Sequence, residues 1–320
     1  MGPGFTSLET VPVGDPSNAP DLRYDLDQRP EGYGAVSYSY RIGKYEVTAA
    51  QYCEFLNSVA RTDTYGLYSA SMYTVPGCGI ERGGSAGNYS YSVASDSANR
   101  PVNYVGYWDA CRFVNWLHNG QPLGPQDAYT TERGAYTLDG YNDTDGRDIG
   151  RNAEAKWALA SSDEWHKAAY YKGGGANAGY WDYPTMSDTQ PISVGGDGYT
   201  DPGNHANCGV LNTDVGRTYV GEFENSAGPY GTFDQGGNVW EWTDSLLYAD
   251  YEYPSRVIRG GSFNSVPDAL GAWSGRYSGW TRPAGDKDVG FRVASIPEPS
   301  SIVALAVGLV SLLGVRRRRG

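Results

Sequence analysis

The stretch Gly231–Asp244, GTFDQGGNVWEWTD, decides the reading of this chain, together with RVIRGGSF at Arg256–Phe263 and VGFRVA at Val289–Ala294. Gly236-Gly237 permits a tight turn that a β-carbon would obstruct. Asp234 and Glu241 flank that turn, so two carboxylates can fold back on one point. Trp240 and Trp242 alternate with polar residues, which predicts a strand carrying both indoles on one face. Hard oxygen donors gathered by a tight loop suit calcium. The same residues also fit a plainer arrangement, with Asp234 capping the turn and Glu241 in a strand ion pair.

The chain has 320 residues, enough for one large domain or two ordinary ones. Its 44 Gly and 27 Tyr suit a loop-rich globular domain whose core is built from rings. Nine Trp and a 39% hydrophobic content exclude a disordered chain. The formal net charge is -12, which repels nucleic acid and leaves no basis for such a partner. An acidic surface keeps a protein soluble and can also draw cations. The four cysteines form no C-x-x-C motif, which argues against a zinc ribbon or redox pair. Cys53 and Cys111 fall on predicted helices and read as buried thiols. Cys78 and Cys208 fall in predicted loops and are the better disulfide candidates, with the pairing open. His118, His166 and His205 show no metal-ligand spacing.

Residues 1–32 read as a lead-in without the apolar core of a secretory signal. Tyr33–Glu46 alternates well enough to predict a strand pair. Thr48-Ala-Ala-Gln51 is a capping box opening a helix with Tyr52, Phe55, Leu56 and Val59 on one face. A second helix is predicted over Trp108–His118, stopped by Gly120. A third opens at the box Ser161–Glu164 and runs to about Lys172. A long Gly/Ser/Tyr-rich loop is expected over Arg61–Asn99. Asp143–Gly146 reads as a turn, since Tyr141 and Asn152 occupy the first and last ligand positions an EF-hand would need.

The C-terminus has Pro297, Glu298 and Pro299, then an apolar run over Ile302–Val315, then Arg316, Arg317, Arg318 and Arg319. The run is shorter than the ~20 residues of a full span. Clustered arginines hold such a segment's end on the cytoplasmic side. This order is similar to the PEP-CTERM sorting signal of Gram-negative bacteria. The resemblance implies export, recognition by an exosortase-type membrane protease, and removal of the tail. The expected location is the cell envelope or beyond, after transient anchoring. Export also implies a signal segment upstream of residue 1.

The ordered blocks G-N-V-W-E-W, R-G-G-S-F and G-F-R resemble the sulfatase-modifying-factor family, the formylglycine-generating enzyme (FGE-sulfatase) domain. EVTAAQY at Glu46–Tyr52 and PVNYVGYWDA at Pro101–Ala110 add to the resemblance, which covers about Ala35–Ala294. It implies one domain over 33–295, followed by the sorting tail at 296–320. The implied fold is α+β and loop-rich, a distant variant of the C-type lectin arrangement. The family pattern implies structural calcium held by the Asp234 and Glu241 side chains and the Gly237 and Val239 carbonyls. A second site would use Asn207, the Cys208 carbonyl and an acid near Asp214.

Oxidases of this family bind copper through two cysteines just after the R-G-G-S block. Here Ser265 and the neighbourhood of Leu270 stand at those positions, and no cysteine follows Cys208. A soft thiolate pair is what Cu(I) needs, so copper is not expected. Cys208 is expected to lie far from Ser265. The histidine-rich iron site of a second family branch is also missing. The resemblance therefore points to an exported, calcium-stabilised, non-catalytic binding protein. Its ligand, a glycan or peptide, would meet the loops near Ser265, Trp273, Arg276, Tyr277, Trp280 and Arg282. Two alternatives are a formylglycine-type or other metal-dependent oxidase, and a purely structural envelope or matrix protein.

Overall fold

The computed structural model describes residues 6–24, 29–143, 146–209, 216–247, 255–274 and 285–296. Strands β1 (Thr10–Val13) and β2 (Tyr40–Gly43) come first, followed by helix α1 (Ala49–Val59). A hairpin of β3 (Ile80–Gly83) and β4 (Ser90–Val93) precedes helix α2 (Tyr107–His118). Strand β5 (Trp157–Leu159) leads into helix α3 (Ser162–Tyr170). The two-residue strands β6 (Ile192–Ser193) and β7 (His205–Ala206) are followed by β8 (Trp240–Leu247) and β9 (Ser255–Arg259). The described chain closes with β10 (Val289–Phe291) and β11 (Val293–Ser295).

Local capping sets the helices. The Gln51 N–H donates to Thr48 Oγ1 at 3.3 Å, and the Thr48 N–H donates back to Gln51 Oε1 at 2.9 Å. Ser161 and Glu164 repeat the exchange at 3.1 and 2.7 Å, and α3 ends at Tyr170 rather than Lys172. At α2 the Asp109 carboxylate accepts from the Gly106 N–H at 2.9 Å. Tyr52, Phe55, Leu56 and Val59 are all buried, as their spacing predicts. Phe55 meets Phe113 edge-on at 5.3 Å and Trp116 at 5.4 Å, so rings join α1 to α2.

One sheet has the order β1-β2-β11-β5 and a second the order β10-β8-β9. Within the first, β11 is an inner strand, antiparallel to both β2 and β5. Within the second, β10 runs parallel to β8 and β9 antiparallel. Residues 289–295 thus supply a strand to each sheet, with Arg292 between them. Val289, Phe291 and Val293 enter the large aromatic cluster, and Ala294 enters a second one.

Three expectations are corrected. Tyr33–Glu46 does not pair with itself. Gly34 takes φ +80° and interrupts the extended run, leaving only β2, whose partners are β1 and β11. The sheet therefore begins at Thr10, inside the expected lead-in. The Arg61–Asn99 loop contains the β3–β4 hairpin, hidden in sequence because its side chains are largely polar. Finally, Cys78 and Cys208 are not bonded: all four cysteines are free and buried. Cys78 packs in the large cluster and Cys208 in a separate one with Tyr183, Ala206 and Leu270.

Candidate functional site

The turn before β8 needs its glycine. Gly237 takes φ +92°, and a β-carbon there would lie 2.3 Å from the Asn207 carbonyl oxygen. The Gly237 N–H donates to the Gly260 carbonyl at 3.0 Å and the Asn238 N–H to the Asn207 carbonyl at 2.8 Å. The turn is thereby stitched to two other loops. Asp234 Oδ2 accepts from the Gly221 N–H at 2.6 Å.

Along β8, Trp242 enters the large cluster and Trp240 packs against it from a half-buried position. Glu241, between them, is fully buried. Its Oε2 accepts from Arg292 Nε and from Trp165 Nε1, and its Oε1 from Arg292 Nη2, all at 2.6 Å. Arg292 also donates to the carbonyls of Gly43 and Phe233. Glu241 is thus a strand ion-pair residue, the plainer of the two arrangements its position allows.

Glu46 was not singled out by the sequence, where it precedes the α1 capping box. It is 2% exposed, and neither of its carboxylate oxygens has a hydrogen-bond partner. Burial, and then the charge of Asp234, push its carboxyl well above the usual range. Burial also pushes Asp234 up to about 6, with Glu241 adding to the rise against the pull of the Gly221 N–H and Arg292. The unmet oxygens of Glu46 beside the Asp234 carboxyl are a hard donor set, and such a set suits calcium. Among the described residues, no three acidic, histidine or cysteine side chains could hold a metal by themselves. Backbone carbonyls such as those of Gly237 and Val239 would have to complete the shell.

The second expected set is partly in view. Asn207 Oδ1 is buried without a partner, while its Nδ2 donates to the Gly216 carbonyl at 2.8 Å and to Asn238 Oδ1 at 3.1 Å. The Cys208 carbonyl accepts from Ser193 Oγ. Asp214 lies outside the described residues.

Ser265 sits in a network of hydroxyls. Its Oγ accepts from the Ser262 N–H at 3.0 Å and lies 3.3 Å from Ser262 Oγ, which donates to Asp288 Oδ2 at 2.8 Å. Leu270 is fully buried. The expectation that Cys208 is remote is wrong: the Gly209 N–H donates to the Ser265 carbonyl at 2.7 Å, and Cys208 packs in one cluster with Leu270. Sequence separation gave no measure of that approach. One thiol is nevertheless not a thiolate pair, and burial pushes Cys208 up to about 11. Burial likewise pushes Cys53 up to about 11 and Cys111 up to about 12, and it raises Cys78.

Trp273 is half-buried and meets Tyr183 and Tyr24 edge-on at 5.3 and 5.6 Å. Arg276, Tyr277, Trp280 and Arg282 lie outside the described residues, as do Pro297, Glu298, Pro299 and Arg316 to Arg319. Among the described residues no helix is long and apolar enough to cross a membrane.

Residues 10–296 match the family model described as "Sulfatase-modifying factor enzyme 1-like domain". Residues 295–319 match the PEP-CTERM protein-sorting motif. Among solved structures, CarF is similar with a TM-score of 0.56 at 20% identity, over 92% of this chain and 100% of that one. Variable protein 1 of Treponema denticola is similar with a TM-score of 0.50 at 18% identity, over 91% and 95% of the two chains. A search of curated proteins found no match. At these identities the structural likeness shows the fold, which is mixed α/β, loop-rich and a single domain.

Proposed function

The chain belongs to the sulfatase-modifying factor family and ends in a PEP-CTERM sorting motif, and from that premise we propose that it is an exported, calcium-stabilised binding domain without copper chemistry. The sorting motif is a signal recognised by an exosortase-type membrane protease, and it directs the chain to the cell envelope. The observation that carries the rest is the Ser265–Ser262–Asp288 network, in which Ser265 takes the position where the family resemblance implies the first copper-binding cysteine. Hydroxyls and a carboxylate are hard donors, and Cu(I) needs soft ones.

Calcium is supported by the unmet oxygens of Glu46 beside Asp234. These two carboxylates and the Gly237 and Val239 carbonyls would hold the ion. Glu241 would reach it only by loosening its bonds to Arg292 and Trp165. The ion would add positive charge beside the Glu46 and Asp234 carboxyls, where Arg292 acts at present, fixing the turn before β8. The ligand, a glycan or peptide, would meet Ser265, Trp273, Arg276, Tyr277, Trp280 and Arg282.

The oxidase alternative has a direct test. The chain is incubated with copper, reductant, oxygen and a C-x-P-x-R peptide, and the peptide is weighed by mass spectrometry. The peptide thiol should remain. Appearance of the aldehyde mass would show that formylglycine chemistry runs without the cysteine pair, and the reading would be wrong.

A further inference from the structure

We infer that a surface patch around Trp273 binds neutral hexose polymers; this rests on the ligand-binding reading above and narrows its ligand class. Three segments distant in sequence build the patch. Trp273 lies edge-on to Tyr24 at 63° and to Tyr183 at 80°, so its ring orientation is fixed from two sides. Asp182 Oδ1 accepts from Tyr24 Oη at 3.1 Å and from Arg23 Nη1 at 2.6 Å. The other Arg23 nitrogens hold Asp21 at 2.9 and 3.0 Å. Beside them Lys172 Nζ stands 4.2 Å from the centre of the half-buried Trp181 ring and 3.5 Å from Asp188. The Arg23 and Asp182 side chains remain 38% and 29% exposed, so both ends of their pair can still meet a ligand.

The pairing decides the ligand class. The two cations and three carboxylates here hold one another, so the patch offers oriented donors and acceptors with a formal net charge of only -1. A vicinal diol both donates and accepts, and it matches a carboxylate set beside a guanidinium fork. The C–H face of a hexose ring packs on an indole, which presents apolar area at little entropic cost. An acidic polymer would face a chain of net charge -12. A peptide would want a strand edge or an apolar groove, whereas this patch consists of side chains carried on loops.

The test is affinity electrophoresis of the full chain, in a detergent without a sugar headgroup, through gels containing dextran, galactomannan or alginate. At least one neutral polymer should retard the chain, and alginate should not. Trp273→Phe and Asp182→Asn should each weaken the retardation by about tenfold while melting like the parent. Trp273→Ala is avoided because the indole packs against the cluster containing Tyr183 and Leu270. Free migration in both neutral gels would overturn the inference, as would unchanged retardation in both variants. Retardation by alginate alone, or capture of a peptide by a chain that no neutral gel retards, would also overturn it while leaving the broader binding reading in place.

Discussion

Glu46 holds a carboxylate that water does not reach and that no protein donor meets. A buried charge without a partner is costly, so such a group takes up a proton or a cation. Calcium at 100 times its dissociation constant should add about 2.7 kcal/mol of stability, read as a rise in melting temperature over the EGTA-treated chain. Glu46→Gln should lose most of that rise. Because the amide carries no charge, the variant in EGTA should melt no lower than the parent. An EGTA-insensitive parent would remove the metal assignment. The acids around the Gly-Gly turn were legible because they share one short stretch. Glu46 was not, because its partner Asp234 is supplied by a loop that only the closed fold brings near. The Arg292 bonds to Glu241 were hidden for the same reason.

Helix α3 buries His166 against Tyr33, Tyr170 and Tyr180. Burial lowers its imidazole to about 4, against the upward pull of Asp21, whose Oδ2 lies 3.3 Å from Nε2. The unfolded chain would bind that proton at about 6.5. The contribution of neutral His166 is therefore whole above pH 6.5 and is lost as pH falls toward 4, by about 3 kcal/mol. Asp234 and Asp109, both raised by burial, favour the folded state over part of the same range. The readout is therefore the difference between parent and His166→Phe in urea titrations at pH 7, 5.5 and 4.5. The variant should gain on the parent as pH falls, and parallel curves would contradict this account of α3. All three helices were legible from their capping residues and apolar spacing, because those signals are local. The strands were harder. Each of β1, β2, β5 and β11 has only three or four residues, and each finds its partners far along the chain.

Over the whole molecule, residues 289–296 close the fold. Strand β10 completes one sheet, β11 fills the interior of the other, and the Ile296 N–H bonds the Lys156 carbonyl at 3.0 Å. The sorting motif follows at once, so the domain should depend on residues up to Ile296 and on none beyond. A chain ending at Ile296 should melt like the full chain. One ending at Phe291 loses an inner strand and should show no cooperative transition by near-ultraviolet circular dichroism. Equal melting of the two would refute the role given to β11. The family's ordered blocks made the fold legible because they mark the turn before β8 and the strands that meet it. The proposed lack of copper chemistry starts from Ser265, at a position where the resemblance implies a cysteine, and the structure adds the hydroxyl network around it. The most direct test of the central claim is the metal content of the purified full chain by plasma mass spectrometry. The account predicts calcium in stoichiometric amount, removable by EGTA, with copper and iron at trace level; stoichiometric copper or iron that survives EGTA would contradict it.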